Sequence, residues 1–546
     1  MAADDQTSTE SADAGQQSQV PHRAGIVLAA LILVAGVANL NLSVANVALP
    51  DIGLHFDSSQ TSLDLVAVGF SLGLAGSVLY LGAVGDRYGR KLLILIGMAL
   101  SIPASLVAGF ATSDTMLIVG RVIGGVAAGM AFPTTLALIT ALWSGPARTK
   151  AIATWSALGG ALAALGPLLA GWLLENFYWG SVFLITVPLS ALAFVLALLI
   201  VPAHINETTN PVDHLGGLIS IVFVGALVLS INFAGGSELR STAIAAGAIM
   251  IVALVAFILQ ERRARFPLYD LDIASRRVFW VAALAGIIVF GSLMGAMFVG
   301  QQYLQNVLGY SPLEAGAAIL PAVVLMVPSA PISARMVGRF GARLTLLTGY
   351  VFCFFSFLLM LLLWDVGASY WAVAPAYVCI GIGVGLAGTP ASNSLTGSVP
   401  VERAGMASGT ADLQRDLGGA AMQSVMGALL TAGYGAAIAA DVADAPPALQ
   451  NQVTSDIARE LESSFAAAEL TAQRVPTFSD QIIAAARVAF IDGANNAYLA
   501  GCAAIVIGFV LVATGFPRHD RERELLAEYH VADAASRAAG ERDSAP

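Results

Sequence analysis

The apolar residues of this chain fall in runs of about twenty, and the polar residues gather in short stretches between them. Each run is about long enough to span a hydrocarbon core of ~30 Å. Seven such windows cover residues 24–49, 61–84, 92–112, 115–142, 150–174, 180–201 and 214–234. Seven more cover 242–260, 279–304, 313–335, 344–364, 370–392, 404–432 and 493–516. Backbone facing lipid must satisfy its own hydrogen bonds, and these runs are too long for barrel strands, so each window predicts a helix. The fold class that follows is an all-α integral membrane protein with 14 transmembrane helices.

Composition agrees with this reading. Of the 546 residues, 57% are hydrophobic and 11% charged, against roughly 25% charged in a soluble domain. The net charge of −10 comes mainly from the tails and one late loop, and no basic patch suggests nucleic acid. Cys353, Cys379 and Cys502 lie inside apolar windows, without metal-ligand spacing or a disulfide framework. Residues 1–22 are polar and lack an apolar core, so no cleaved signal is expected.

The charges orient the helices. With the N-terminus in the cytoplasm, twenty of the 26 basic residues fall on the inner side. Only Arg240, Arg459, Arg474 and Arg487 fall outside, and Arg121 and Arg415 lie at membrane depth. Basic residues favour the cytoplasmic side, so both termini are expected there.

One connection is unusually rich. Between windows two and three, Gly82, Asp86, Arg87, Gly89, Arg90 and Lys91 combine glycine bends, one acid and three cations in ten residues. They fill every defined position of Gly-x-x-x-Asp-Arg/Lys-x-Gly-Arg/Lys-Arg/Lys, and the chain thereby resembles the major facilitator superfamily of transporters. The resemblance implies that Asp86 accepts hydrogen bonds from a neighbouring helix end and pairs with a cation. Such a contact would latch the cytoplasmic side, favour an outward-open state and break when the cavity opens inward.

An internal repeat supports two halves. Arg339 to Arg343 echoes Arg87 to Lys91, Ile380 to Pro390 echoes Ile123 to Pro133, and Leu417 to Ala420 echoes Leu158 to Ala161. Helices 9–14 thus repeat helices 1–6, leaving helices 7 and 8 as an insertion. Two six-helix bundles facing each other across a central cavity are the arrangement of this transporter class. The expected organisation is a cytoplasmic tail at 1–23, an N-terminal six-helix bundle at 24–203 and two inserted helices at 204–278. A C-terminal six-helix bundle follows at 279–517, then a cytoplasmic tail at 518–546. Within that second bundle, 433–492 reads as a long outer segment carrying one or two surface helices. The segment is either a hairpin over the outer mouth or a solvated loop. Gly338, the repeat counterpart of Asp86, leaves the C-terminal bundle without that latch.

Charges at membrane depth need a reason. Helix 13 concentrates them: Asp412, Arg415 and Asp416 share a polar stripe with Ser408, Gly419 and Gln423, at steps of three or four. Such a stripe would face the cavity between the bundles. Two carboxylates one turn apart in low dielectric cannot both ionise cheaply, so one is expected to carry a proton near neutral pH. The competing reading is a fixed ion pair with Arg415. Arg121 precedes a Gly-rich face on helix 4 and resembles the family's helix-4 signature, which implies proton transfer. Its competing reading is an anchor to helix 1 through Asn39 or Asn41.

Helix 5 carries Gly166, Pro167 and Gly171, similar to the signature of drug:proton antiporters, although Ala170 stands where a second Gly is usual. With fourteen helices, the chain looks like the fourteen-helix drug:proton antiporter branch over residues 24–516. That branch often has an acid in helix 1; here Asn41 takes its place, and a carboxamide can bind substrate but cannot cycle a proton. The resemblance therefore places coupling on helix 13, with Asn39, Asn41, Asp64 and Gln423 as substrate-cavity candidates. Asp64 also reads as a solvated helix end.

The implied function is proton-driven export of amphipathic drugs or toxic compounds by rocking of the two halves, in a bacterial cell membrane, by a monomer. No cofactor beyond the coupling proton is expected. The alternatives are export of a lipid or an endogenous metabolite, or a non-transporting scaffold or receptor. No Gly-x-x-x-x-Gly-Lys-Ser/Thr occurs, so no ATP-binding P-loop is expected, and no nucleophile–base or metal constellation suggests an enzyme.

Overall fold

The computed structural model describes residues 21, 23–58, 60–203, 210–233, 240–444 and 455–543. The polar start of the N-terminal tail and the Pro446–Pro447 pair lie outside these residues. Among the described residues the chain is helical throughout, without a strand.

The N-terminal half comprises α1 (Ala24–Phe56), α2 (Gln60–Tyr88), α3 (Arg90–Gly109), α4 (Asp114–Leu142), α5 (Gly145–Asn176) and α6 (Ser181–Ile200). The inserted pair is α7 (His214–Phe233) and α8 (Arg240–Arg263). The C-terminal half begins with α9 (Arg277–Gln302), which ends in a π-turn at Tyr303–Val307. A short helix, Pro312–Ala318, follows; it starts with a capping box in which Ser311 and Glu314 satisfy each other's backbone N–H.

Helices 10 and 11 are continuous by hydrogen bonding over Leu320–Leu363, but Gly341 sits at φ 84°, ψ 168°, outside helical space. The full apolar stretch has 52 residues, about 78 Å as straight helix, far beyond one crossing of ~30 Å. The break divides it into α10 (320–340) and α11 (342–363). Thirteen helical stretches are long and apolar enough to cross, and this one crosses twice, giving fourteen passes.

After α12 (Tyr370–Gly397), α13 (Ala404–Asp444) is longer than the predicted window and projects beyond the bilayer on the outer side. Two short helices, α14 (Ser455–Ser463) and α15 (Phe465–Arg474), pack against α13 and α16 (Ser479–Gly515). Both ends of the expected outer segment at 433–492 continue α13 and α16, and among the described residues between them lies a helical pair, α14 and α15. The C-terminal tail is a further helix, α17 (His519–Asp543), where the sequence reading had only a tail. Helix 1 likewise runs through Pro50 to Phe56 instead of ending at the proline.

Within the first half, α2 packs on α4, α3 on α4 and α1 on α5; in the second, α9 packs on α13 and α12, and α16 on α13. The inserted α7 lies against α2, with α8 outside it. The halves meet through α2 and α4 against α13, and through α5 against α10 and α12. Along α5 the contact runs the whole depth. Thr149 donates to Asn393 at 3.4 Å near the inner end, and Gly316 rests on the backbone at Leu168 near the outer end. The halves thus touch near both ends of α5.

Beneath the second bundle, α17 is fastened by its own contacts. Arg276 pairs with Asp533, lies over the Tyr529 ring at 4.8 Å, and donates to the Ser398 carbonyl at 2.6 Å. Glu522 accepts from the Ala342 N–H at 3.2 Å, beside the Gly341 break. The first free amide of α11 is thereby capped by a carboxylate from far along the chain, a favourable charge at a helix N-terminus.

Candidate functional site

The inner connection between α2 and α3 is a tight turn. Gly89 takes φ 116°, open to glycine and few others, so α2 can end and α3 begin within one residue. Asp86, 5% exposed, then faces three donors. Its Oδ1 accepts from Arg90 Nε at 3.0 Å and Nη2 at 2.8 Å. Its Oδ2 accepts from the Gly405 N–H at 2.8 Å, in the first turn of α13. Arg90 continues across the boundary to the Val401 carbonyl at 2.7 Å. Charge-assisted bonds of this kind contribute about 1.5–3 kcal/mol each, and α13 presents the positive end of its dipole.

The approach depends on glycine at Gly82, where an added Cβ would stand 2.9 Å from the Gly405 carbonyl oxygen. Lys91 donates instead to the Leu198 carbonyl at 2.8 Å, fastening the end of α6, and Arg87 is half-buried beside Tyr88. Six loop residues on three neighbouring elements thus form one junction, with the inserted helices at its edge. There Asp213, Glu402 and Arg403 share a cleft with Asp86 and Arg87. Arg403 donates to the Pro267 carbonyl at 2.6 Å.

Arg121 is 2% exposed. Its Nη1 donates to the Asn41 carbonyl at 2.6 Å and its Nε to the Val66 carbonyl at 3.3 Å. The guanidinium also lies over Phe70, 4.9 Å from the ring centroid. It ties α4 to α1 through the Asn41 carbonyl, one of the two residues of the anchor reading, and to α2 through the Val66 carbonyl. Asn41 donates within its own helix to Val37, and Asn39 donates across to Gly159 of α5 at 3.1 Å. The structure therefore commits both carboxamides inside the first half, away from the helix-13 charges. Asp64 and Gln423 are half-buried and stand on different helices. Gly166 packs directly on Ser43 of α1, while Gly171 faces Leu313. α5 continues through Pro167 without a break in its assignment.

The helix-13 group is brought together. Arg415 Nη1 donates to Asp412 Oδ1 at 3.0 Å, with the Asp412 side chain 0% and the Arg415 side chain 17% exposed. Nη2 donates to Ser392 Oγ of α12 at 3.3 Å. Neither Asp412 Oδ2 nor Asp416 Oδ2 has a hydrogen-bond partner, although both atoms are buried. The guanidinium thus pairs with Asp412, while Asp416 stands one turn further along the same helix, half-buried.

The sequence reading missed what surrounds the guanidinium. Phe290 lies 4.7 Å, Trp155 4.8 Å and Phe132 5.7 Å from Arg415 Cζ, measured to ring centroids. These rings come from three helices in two halves, a grouping that no single-helix periodicity reveals.

Two halves of helices meeting around buried charge, with a polar latch at one face, are the build of a secondary transporter. The chain belongs to the Major Facilitator Superfamily, whose family model matches residues 31–422. It is 31% identical to the multidrug efflux pump LfrA of Mycolicibacterium smegmatis, over 92% of this chain and 98% of that protein. It is equally 31% identical to the methyl viologen resistance protein SmvA of Salmonella typhimurium, over 86% and 93%. Among solved structures, the human organic anion transporter MFSD10 shares the fold with a TM-score of 0.57 and 14% identity, covering 90% of this chain and all of that one.

Proposed function

We propose that this protein exports small amphipathic toxic compounds, drugs among them, across a bacterial plasma membrane in exchange for protons. Its efflux-pump and resistance-protein relatives support the cargo class. The observation that carries the coupling is the buried Asp412–Arg415–Asp416 group, in which two acids face one cation at the junction of both halves. A proton neutralises the uncompensated acid; losing it makes room for a cationic or polar substrate. Alternation then consists of breaking the Asp86–Gly405 contact at the inner face and the α5 contact at the outer face in turn, as the halves rock. The asymmetry of the basic residues supports a cytoplasmic position for both termini, with a single chain as the proposed working unit.

Everted vesicles loaded with a panel of dyes and antibiotics, with and without a pH gradient, test this reading. Wild type is expected to move at least one cargo only with the gradient, and Asp412→Asn or Asp416→Asn to abolish that dependence. Full gradient-driven flux in both variants and in the double variant would refute helix 13 as the coupling element.

A further inference from the structure

The rings around Arg415 form a site whose construction exceeds what an ion pair needs. Phe132 and Trp155 come from α4 and α5 of the first half, and Phe290 comes from α9 of the second. All three are buried, at 5%, 1% and 8% exposure. Phe132 and Trp155 stack with centroids 5.6 Å apart. Trp155 Nε1 donates to Thr135 Oγ1 at 2.9 Å, which fixes the indole plane. A planar, delocalised cation fits such aromatic faces, because each ring presents negative quadrupole density. The acids complete it: Asp412 already bonds the guanidinium, and Asp416 carries a buried oxygen without a partner. Aromatic walls with a carboxylate at one end are the recognition chemistry of an organic cation, and here the occupant is the protein's own side chain.

Two details make the occupant exchangeable. The Arg415 side chain keeps 17% of its surface open while Asp412 keeps 0%, so the guanidinium is the accessible member of the pair. Its remaining bonds are modest: one 3.3 Å contact to Ser392 Oγ and one 3.2 Å bond to the Ala411 carbonyl of its own helix. The stem of an arginine lets the head swing out of the cage without moving α13.

We propose that Phe132, Trp155 and Phe290, with Asp412, recognise a planar organic cation, and that Arg415 is a tethered competitor occupying the same cage when substrate is absent. The guanidinium and the cargo bind in alternation. Because the cage takes walls from both halves, it is intact only while those halves are close around it, and rocking pulls Phe290 away from Trp155. Arg415 spares the empty protein a buried, unpaired Asp412 during its return. This inference rests on the export reading above and adds to it the residues that select the cargo.

Equilibrium binding of ethidium, a planar fluorescent cation, to the purified full chain in lipid nanodiscs without a gradient tests the competition. Arg415→Ala is expected to tighten binding about tenfold, the order set by removing a competitor held by cation–π contacts. Arg415→Lys keeps a cation but loses the planar head, so its binding should be tighter than wild type and weaker than that of Arg415→Ala. In the Arg415→Ala background, Trp155→Ala should undo the gain while Trp155→Phe keeps most of it. Arg415→Gln, which keeps length and a hydrogen bond, serves if the alanine variant is not monodisperse, with the same expected gain. Unchanged or weaker ethidium binding in the folded Arg415 variants, or equal loss with Trp155→Ala and Trp155→Phe, overturns the proposal. Gradient-driven export of other compounds by wild type, without ethidium binding, overturns it while leaving the export reading intact. Absence of both gradient-driven export and binding removes the two together.

Discussion

Asp86 and Gly405 stand 319 positions apart in the chain and are joined by a 2.8 Å hydrogen bond across the boundary between the two halves. The same carboxylate holds Arg90, which grips the Val401 carbonyl on the far side. One acid therefore organises two crossings of the inner face. Asp86→Asn keeps the shape but removes the charge that strengthens every bond in the set, each worth about 1.5–3 kcal/mol. The inner face of that variant should open at least tenfold more often. Thiol-labelling rates at a cysteine introduced in the loop after α12 report this directly. A rate equal to that of the same cysteine in the native background would remove Asp86 as the latch.

Gly82 tests the same junction by volume instead of charge. An added Cβ would sit 2.9 Å from the Gly405 carbonyl oxygen, closer than van der Waals contact allows. A Gly82→Val variant should therefore separate the inner ends of α2 and α13 with Asp86 untouched. Spin-label distances across these ends should lengthen by a few ångström, about the size of the inserted group, and gradient-driven flux should fall. Unaltered distances would mean that the approach of α2 to α13 tolerates a side chain at position 82.

The fourteen passes were legible because a bilayer imposes a minimum apolar length, and no tertiary contact can override that requirement. The helix ends outside the membrane were not. α13 and α16 continue past their apolar windows in Ala-rich sequence, which favours helix but is not marked by an unbroken apolar run. The loop from Gly82 to Lys91 was legible as a unit, since its acid, cations and glycines are adjacent in the chain. The surroundings of Arg415 were not, because Phe132, Trp155 and Phe290 each look like ordinary core residues in their own helix. For Asn39 and Asn41 the sequence does not show which acceptor each amide reaches, and both donate to carbonyls of the first half.

Arg121 separates positioning from proton transfer. Its two backbone acceptors, Asn41 and Val66, belong to α1 and α2, so the side chain fixes three helices at once. Arg121→Ala removes two charge-assisted bonds, about 1.5–3 kcal/mol each, from carbonyls that keep their own helical partners. Arg121→Lys keeps the charge but lacks the fork that reaches both. Both variants should melt several degrees below wild type in detergent, the lysine less so. A lysine variant with native melting and no gradient-driven flux would instead assign the guanidinium a direct part in moving protons.

Glu522 makes the docking of α17 depend on cytoplasmic pH. Burial raises its carboxyl from 4.5 to about 7, and the bond from the Ala342 N–H offsets only part of that shift. An undocked Glu522 regains its ordinary, lower value in water. The docked state therefore binds a proton more tightly than the free one. Its contribution to docking is full below about pH 4.5 and declines as pH rises, until it is spent above about 7. His519 packs beside Gly341 at the same end of α17, while the Arg276–Asp533 pair holds the far end. Hydrogen exchange over His519–Asp543 should accordingly be slower at pH 6 than at pH 8, after correction for intrinsic rates. Glu522→Gln mimics the protonated form, so its exchange should be slow at both values. A pH difference that persists in Glu522→Gln would remove Glu522 as its source. Equal protection at both pH values in wild type would show that the helix is held by Arg276 alone.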